Sequence, residues 1–333
     1  MKISVAVPVR NEADNIGKLI RRLLTQTRPP DEIVIADGGS TDSTVEIVAD
    51  FIDNGAPLKL IRADDALPGR GRNLASAAAS SEWLAFIDGG IEPDADWLET
   101  LATKANQDAS IDVVYGGCEA VIDSFFTECA AIAYLFPPVR RPGIIARRRF
   151  IASSLMKKSV WLSVGGFPED LRSAEDHVFM NRIDGAGFNQ VYEPRAIVHW
   201  HLRPTFTSTF KRFVVYARNN IRAGLWREWQ ARIFFRYFLL TTVAVVVIVL
   251  SPKLVWLPIG LWLLMLLLRG LVAIRRNRST YPANASRNLK RLLLLVPLIA
   301  TIDAAAFIGS IQWLAMDWLR RQGTTAVEAG DGA

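Results

Sequence analysis

Charged and polar side chains gather in this sequence where apolar runs stop. Arg10-Asn11-Glu12 follows the run Ile3–Val9, and Asp37 to Asp42 follow Glu32–Ala36. Arg70 to Asn73 precede a short helical pattern, and Asp88 follows Trp83–Ile87. In Ala36-Asp37-Gly38-Gly39-Ser40-Thr41-Asp42 a carboxylate is backed by glycines, whose missing Cβ atoms let a ribose or base edge come close. A plain strand-to-helix turn capped by Ser40 accounts for the same residues. Asp88 is followed by Gly89-Gly90, then by Glu92, Asp94 and Asp96 in a stretch that reads as a helix start, where acids favour the dipole. Glu175-Asp176 opens another helical pattern and has the same simple explanation. All three histidines fall between positions 177 and 201, and a partly buried, hydrogen-bonded pair accounts for His199 and His201. The first loop has no G-x-G-x-x-G, which argues against a dinucleotide site, and no glycine-rich, lysine-bearing phosphate loop.

The elements that must position these residues alternate strand and helix. Strands are expected at Ile3–Val9, Glu32–Ala36, Pro57–Arg62 and Trp83–Ile87. Helices are expected at Asn15–Thr27, stopped by Pro29-Pro30, at Thr41–Ile52 and at Asn73–Ser80. Such units imply an α/β, doubly wound, mainly parallel sheet with ligands bound at the carboxyl ends of its strands. The stretch from about 110 to 225 is less regular. It holds a strand at Ile111–Ala120, helices at Asp123–Leu135, Lys158–Val164 and Glu175–Gly185, and a strand-like Gln190–Glu193. Pro137-Pro138 and Arg140-Arg141-Pro142-Gly143 read as a loop, with Arg147-Arg148-Arg149 as a second basic cluster.

Composition divides the 333 residues unevenly. The chain is 50% hydrophobic with a mean hydropathy of +0.19, but apolar runs dominate only after about Trp229, which excludes a disordered chain or an enzyme with no membrane phase. Two spans are expected at about 233–250 and 254–274, with Lys253 in the turn between them. Arg227, Arg232 and Arg236 lie before or early in the first. Arg275, Arg276, Arg278, Arg287, Lys290 and Arg291 follow the second, so both flanks are expected in the cytosol, with Arg236 and Arg269 snorkelling. A third apolar stretch, Leu292–Met316, is long enough to span and contains only Asp303. Arg320-Arg321 beyond it leave a re-entrant or interfacial segment as the competing reading. The resulting organisation is 1–225 soluble, 226–320 membrane with two or three helices, and 321–333 a disordered tail. Met1-Lys2 leads directly into Ile3–Val9, a strand-like run too short for the apolar region and cleavage site of a signal peptide, so none is expected. Two cysteines, Cys118 and Cys129, exclude a disulfide scaffold. The net charge of +6 is compatible with anionic lipid or phosphorylated ligands. It is not arranged as the aromatic-interleaved stripe of a nucleic-acid binder.

Taken together, four ordered segments resemble the family 2 glycosyltransferases of the GT-A fold over about residues 1–225. They are VPVRNEADNIGKLIRRLLTQT, IADGGSTDST, GRGRNLASAAASSEWLAFIDGG and SLMKKSVWLSVGGFPEDLRSAEDHVFMNRIDGAGF. The resemblance implies a Rossmann-like, nucleotide-sugar-binding domain in which Asp37 contacts the nucleoside, Pro8 and Glu12 line that pocket, and Arg70 and Arg72 face the nucleotide or its phosphates. A solvated loop is the plainer reading of both arginines. Asp88 matches the first acid of the family's D-x-D, which holds Mg²⁺ or Mn²⁺ against the diphosphate. Gly90 stands where the second acid is expected, and His199 or His201 could supply the missing ligand. The acid pair implies Asp176 as general base and Glu175 as its orienter. Arg212 and Arg218 stand where the family has a basic or aromatic motif near the acceptor and membrane, without the Q-x-x-R-W of processive enzymes. The bland alternative for both is contact with anionic lipid.

The expected activity is inverting transfer from a nucleotide-diphosphate sugar to a lipid or lipid-linked hydroxyl at the cytosolic face, in the plasma membrane if the source is bacterial or archaeal. Two alternatives remain open at this point. One is a polyprenyl-phosphate acceptor met by Arg140, Arg141 and Arg147–Arg149. The other is a catalytically degenerate, membrane-bound nucleotide-sugar scaffold, motivated by Gly90.

Overall fold

The structure, a computed structural model, describes residues 1–135, 139–141, 144–146 and 149–318. Two compact units separate: Met1–Val121 with Pro138–His201, and Ile122–Pro137 with Leu202 onward. The division differs from a boundary at residue 225, since 122–135 and 202–225 group with the second unit.

The first unit runs β1 (Ile3–Val9), α1 (Ile16–Leu24), β2 (Glu32–Asp37), α2 (Thr44–Asp53), β3 (Leu58–Arg62), α3 (Pro68–Ala78), β4 (Trp83–Phe86), β5 (Ile91–Pro93), α4 (Trp97–Asn106) and β6 (Val113–Val121). After α5 (Phe125–Tyr134), which belongs to the second unit, come β7 (Val139–Arg141), β8 (Ile144–Ala146), β9 (Ser154–Lys157), α6 (Lys158–Ser163), α7 (Glu175–Gly185) and β10 (Gln190–His201). Eight strands form one sheet in the order β3-β2-β1-β4-β9-β6-β10-β5. β1, β2, β3 and β4 pair in parallel, as do β6 and β10, while β9 and β5 run antiparallel to their neighbours. β7 and β8 pair as a separate antiparallel hairpin where a loop was expected.

Period-two alternation divides the core between the two sheet faces. Ile3, Val5, Val7 and Val9 point to one face with Leu19, Ile20 and Leu23 of α1 and Trp97, Leu98 and Leu101 of α4. Ala6, Val34, Leu84 and Phe86 point to the other, against Ala75 of α3 and Phe179, Met180 and Ile183 of α7.

Three local differences from the sequence reading bear on the site. α3 begins at Pro68 rather than at Asn73, so Arg70 and Arg72 are helical; proline at the first helical position fixes φ without losing a needed hydrogen bond. β10 extends to His201 across Pro194, because the ladder with β6 shifts register between Glu193 and Ile197 and absorbs the proline. Asp96 holds the N-cap position of α4 but makes no side-chain cap bond.

One buried carboxylate clamps the sheet's amino-terminal edge. Glu32 Oε2 accepts from Ser4 Oγ at 2.7 Å and from Ser80 N at 2.9 Å, and Lys59 Nζ lies 2.5 Å from Oε1. Burial pushes this carboxyl up, but the bonds from Lys59, Ser80 and Ser4 outweigh burial and hold it down at about 2. A depressed acid stabilises the fold above its unfolded value and loses that contribution as pH falls through its folded value. Glu32→Gln is therefore expected to cost about 2 kcal/mol at pH 7, with the gap to the parent closing between roughly pH 4.5 and 2, as read from thermal unfolding across pH.

The second unit contains α5, α8 (Phe206–Arg222), α9 (Trp226–Trp229), α10 (Ala231–Leu250), α11 (Trp256–Arg276) and α12 (Ala285–Trp313). Capping boxes at Ser124 and Thr205 start α5 and α8. The stretches Ala231–Leu250, Trp256–Arg276 and Ala285–Asp317 are each long and apolar enough to cross a membrane. The third apolar segment is thus one continuous helix. Arg269 forms a two-bond ion pair with the fully buried Asp303. The tail from 321 lies outside the described residues.

Candidate active site

The loops at the carboxyl ends of β1 and β2 are stitched to each other. Asn11, at a left-handed φ of 55°, donates its N–H to Ser40 Oγ at 2.8 Å and accepts from Thr41 N at 2.8 Å. Glu12 N donates to Thr44 Oγ1 at 2.8 Å. Asp37 is buried, and its oxygens accept from Gly39 N and Ser40 N, each at 3.1 Å, and from Ser40 Oγ at 2.5 Å. Ser40 thus serves Asp37 rather than capping α2, whose N-cap position is Ser43. Gly38 has no room for a Cβ, which would stand 2.5 Å from the Ala66 carbonyl, so the third loop presses against this turn.

The amino-terminal end of α3 lies between β1 and the segment before α7. A Cβ on Gly71 would stand 3.0 Å from that of half-buried Pro8, and one on Gly69 would collide with the Pro168 carbonyl. This close approach carries Arg72 inward while Arg70 stays exposed. Arg72 is 3% exposed; Nη2 donates to Asp88 Oδ1 at 2.6 Å and Nη1 to Glu175 Oε1 at 2.7 Å. Its guanidinium carbon is 5.4 Å from the Phe167 ring centroid, which suits a cation–π contact. A buried cation thus ties the end of β4 to the start of α7.

Electrostatics at this junction are strongly coupled. Burial alone lowers the Arg72 pKa, but the carboxylates of Asp88, Glu175 and Asp176 raise it above its ordinary value, so Arg72 stays charged. Burial pushes Glu175 up and Asp176 adds to the push, while Arg72 opposes both; the net direction is upward. Glu175 Oε2 and Arg72 Nε are buried without a hydrogen-bond partner among the described residues. Beside them, half-buried Asp176 has one oxygen on its own neighbour, with Oδ1 accepting from His177 N at 2.8 Å. The turn into α7 is strained, because Ala174 sits at φ 72°.

A metal's donor set is thin here. Among the described residues no three His, Cys, Asp or Glu side chains are grouped to hold an ion. His199 Nε2 lies 2.8 Å from Asp94 Oδ1, and His201 Nε2 lies 3.3 Å from Glu92 Oε1, which also takes Arg22 into a salt bridge at 2.7 Å through Oε2. Asp94 therefore meets a histidine rather than capping α4. Glu12 stands nearer the gap: a Cβ on Gly90 would lie 3.4 Å from Glu12 Oε2 and 3.6 Å from Oε1. Asp88, with Oδ1 on Arg72, keeps its side chain 38% exposed. Two hard carboxylates on adjoining loops fit a cation that takes its remaining ligands from phosphate and water.

Three other basic candidates, Arg149, Arg212 and Arg218, have partners of their own. Arg149 pairs with Asp184 and lies 3.2 Å from Gln190 Oε1. Arg140 and Arg141 belong to β7, and Arg147 and Arg148 lie outside the described residues. In the helical unit Arg212 Nε donates to Tyr216 Oη at 2.9 Å, and Arg218 grips Asp317 with two bonds of 2.7 and 3.1 Å. Sequence reasoning placed Arg72 in a loop and missed its bridge to Glu175. Pro68 was the available signal, since a helix started there turns position 72 inward by its second turn.

Comparison with known proteins adds the family. Residues 4–151 match the model of the glycosyl transferase family 2. Glycosyltransferase AglE of Haloferax volcanii is 30% identical over 196 residues, 57% of this chain and 64% of that protein. Uncharacterized glycosyltransferase YibD of Escherichia coli is 29% identical over 169 residues, 49% of this chain and 48% of that protein. The chain thus spans about half to just under two thirds of the length of these relatives. Among solved structures, the mannosyltransferase PcManGT from Pyrobaculum calidifontis, in complex with GDP-Man and Mn²⁺, superposes with a TM-score of 0.56 at 19% identity. That match covers 94% of this chain and 87% of the other. The shared architecture is the GT-A fold, a Rossmann-like, mainly parallel mixed sheet.

Proposed function

We propose that this chain, which carries a glycosyl transferase family 2 domain, is an inverting glycosyltransferase. It moves a sugar from a nucleotide-diphosphate donor to a hydroxyl of a lipid or lipid-linked acceptor at the cytosolic membrane face. The observation that carries the reading is the Arg72 bridge. It fixes the carboxylate that ends β4 and the acid pair that opens α7 in one constellation.

In this reading the donor lies along the carboxyl ends of β1, β2 and β4, against Pro8, Glu12, Asp37, Arg70 and Asp88, while buried Arg72 holds Asp88 rather than meeting the phosphates itself. Asp37 acts mainly by holding the Gly39–Ser40 backbone in shape for the nucleoside. Exposed Arg70 meets the diphosphate from the solvent side. A Mg²⁺ or Mn²⁺ ion held by Asp88 and Glu12 would supply charge neutralisation of the leaving diphosphate. Asp176 takes the acceptor's proton as the acceptor oxygen bonds to the anomeric carbon. The bond from that carbon to the diphosphate breaks on the opposite side, and the nucleoside diphosphate leaves with the electron pair. Glu175, fixed through Arg72, orients the acid pair. Membrane attachment is supported by three long apolar helices, and the cytosolic placement by the arginines on both flanks of the α10–α11 pair.

The test is UDP and GDP binding to the full chain in detergent with Mn²⁺, with Mg²⁺ and with EDTA. Binding of one nucleotide is expected to require the metal, and Asp88→Asn and Glu12→Gln are each expected to weaken it about 10- to 100-fold, the range seen when support of a metal site is lost. Binding indifferent to EDTA would remove the cation from the proposal. Absence of binding to either nucleotide would remove this donor class.

A further inference from the structure

α12 is long and apolar enough to span a bilayer, yet its contacts within the helical unit describe a different placement. α10 touches it from its first two turns: Phe234 and Tyr237 each pack on Phe307 with ring centroids 5.2 Å apart, and Tyr237 Oη donates to Asp303 Oδ2 at 3.1 Å. α11 touches it from its last turns, where Arg269 grips Asp303 and Gly270 admits Leu292 and Leu295. No residue of α10 is buried, and the buried residues of α11, Leu266, Gly270 and Ala273, all lie in its second half. α12, by contrast, is buried at intervals from Arg291 to Gly309. The two antiparallel helices thus stand with their bases on successive stretches of α12 and lead away from it. A third span packed alongside them would meet both at every depth.

Lengths discriminate between the two placements. From Tyr237 to Leu250 is about 20 Å of helix. If Asp303 lay at the centre of a roughly 30 Å hydrocarbon core, that length would carry the apolar Val249 and Leu250 about 5 Å past the hydrocarbon into the headgroup layer. If Asp303 lies at the surface, the pair enters the lipid from there. The ionic partners of α12 agree with the second placement. Glu128 of α5 takes Arg287 and Arg291, Asp303 takes Arg269, and Asp317, just past the end of α12, takes Arg218 of α8. These groups recur along the whole helix, including its middle, where a span is driest. α8, with Lys211, Arg212 and Arg218, also lies against α12, since Gly309 is in contact range of Val214, Ala217 and Arg218. The remaining face of α12 presents exposed Leu289, Leu293, Ile308 and Ile311, and Arg287 and Lys290 flank it.

We propose that α12 lies in the plane of the membrane surface, with its apolar face in the lipid and α5 and α8 on its other side, so that both its ends lie on one face of an anionic bilayer. An apolar face, a cationic rim and a protein-covered back suit that interface. The proposal does not depend on the reaction assigned above.

The experiment uses the full chain with Cys118→Ser. Cys129 is left in place, because burial and neighbouring Glu128 push its thiol up to about 12. A membrane-impermeant maleimide is applied to intact and opened cells carrying either Ser279→Cys or a cysteine appended after Ala333. Spin labels at Leu289→Cys, Ala304→Cys and Ile311→Cys then report depth in vesicles containing anionic lipid. Labelling from the same side, with three equal and shallow depths, is the expected result. Labelling from opposite sides means that α12 spans, and overturns the proposal. Labelling from one side with the Ala304 position much deeper than the other two means a re-entrant helix, and overturns it equally.

Discussion

Asp176→Asn is expected to lower the rate of sugar transfer by about 10²–10⁴-fold while nucleotide affinity stays within about twofold of the parent. The amide keeps the size and planarity of the carboxylate and still offers an oxygen to His177 N, so α7 should start normally. What it cannot do is take a proton from an acceptor hydroxyl. Removing this charge relieves one source of the upward shift at Glu175 and removes one carboxylate that favours charged Arg72, two effects of opposite sign on the fold. The loss should therefore appear in kcat, in the acceptor-dependent step alone, with unchanged binding of the donor nucleotide. Full activity of this variant would move the base to another group and leave Asp176 as a helix-start acid.

Arg72→Met carries the largest expected effect on stability. The side chain is buried and is the cation that compensates Glu175, whose other oxygen has no partner among the described residues. Breaking a buried pair by removing one member typically costs 3–5 kcal/mol, because the remaining charge stays desolvated. The sign of the pH dependence follows. Glu175 already titrates above its ordinary value because of burial and Asp176, and loss of Arg72 moves it further up. An acid raised in the folded state binds its proton more tightly there, so the deficit is largest at neutral and alkaline pH and shrinks on acidification. Arg72→Met/Glu175→Gln should recover much of the thermal stability. Transfer should stay low in the double variant, since neither Asp88 nor the acid pair is then held. A double variant as unstable as the single one would show that the guanidinium matters through its packing on Phe167 instead.

The sequence made the frame legible because period and composition are local signals. β1, β2, β3 and β4 fell where apolar runs fell, and α10 and α11 are set by length and hydropathy alone. The family segments gave the roster of candidate residues. Their partners were hidden, because each bond that matters joins distant positions: Arg72 to Glu175, His199 to Asp94, Arg269 to Asp303. Local rules also competed with tertiary ones. Pro194 argued for ending β10, and the register shift beside it overrode that. The residues of α5 and α8 were grouped with 1–225, and nothing in their own sequence says that they join the second unit. Ala174 gave no sign of a left-handed backbone, because alanine is not a residue chosen for it.

Glu12 and Gly90 have a consequence for how such a site can change. The space that an aspartate at 90 would enter already holds the Glu12 carboxylate, 3.4 Å from where its Cβ would stand. Filling in the apparent gap in the motif would set two like charges against each other unless both close on one ion. The two positions are therefore epistatic: one negative charge has two possible hosts, and whether an acid at 90 helps or harms depends on what occupies 12. A short-motif search that counts acids only between 88 and 90 would score this chain as degenerate and would pass over the Glu12 carboxylate, which stands beside position 90 from a loop about 75 residues upstream.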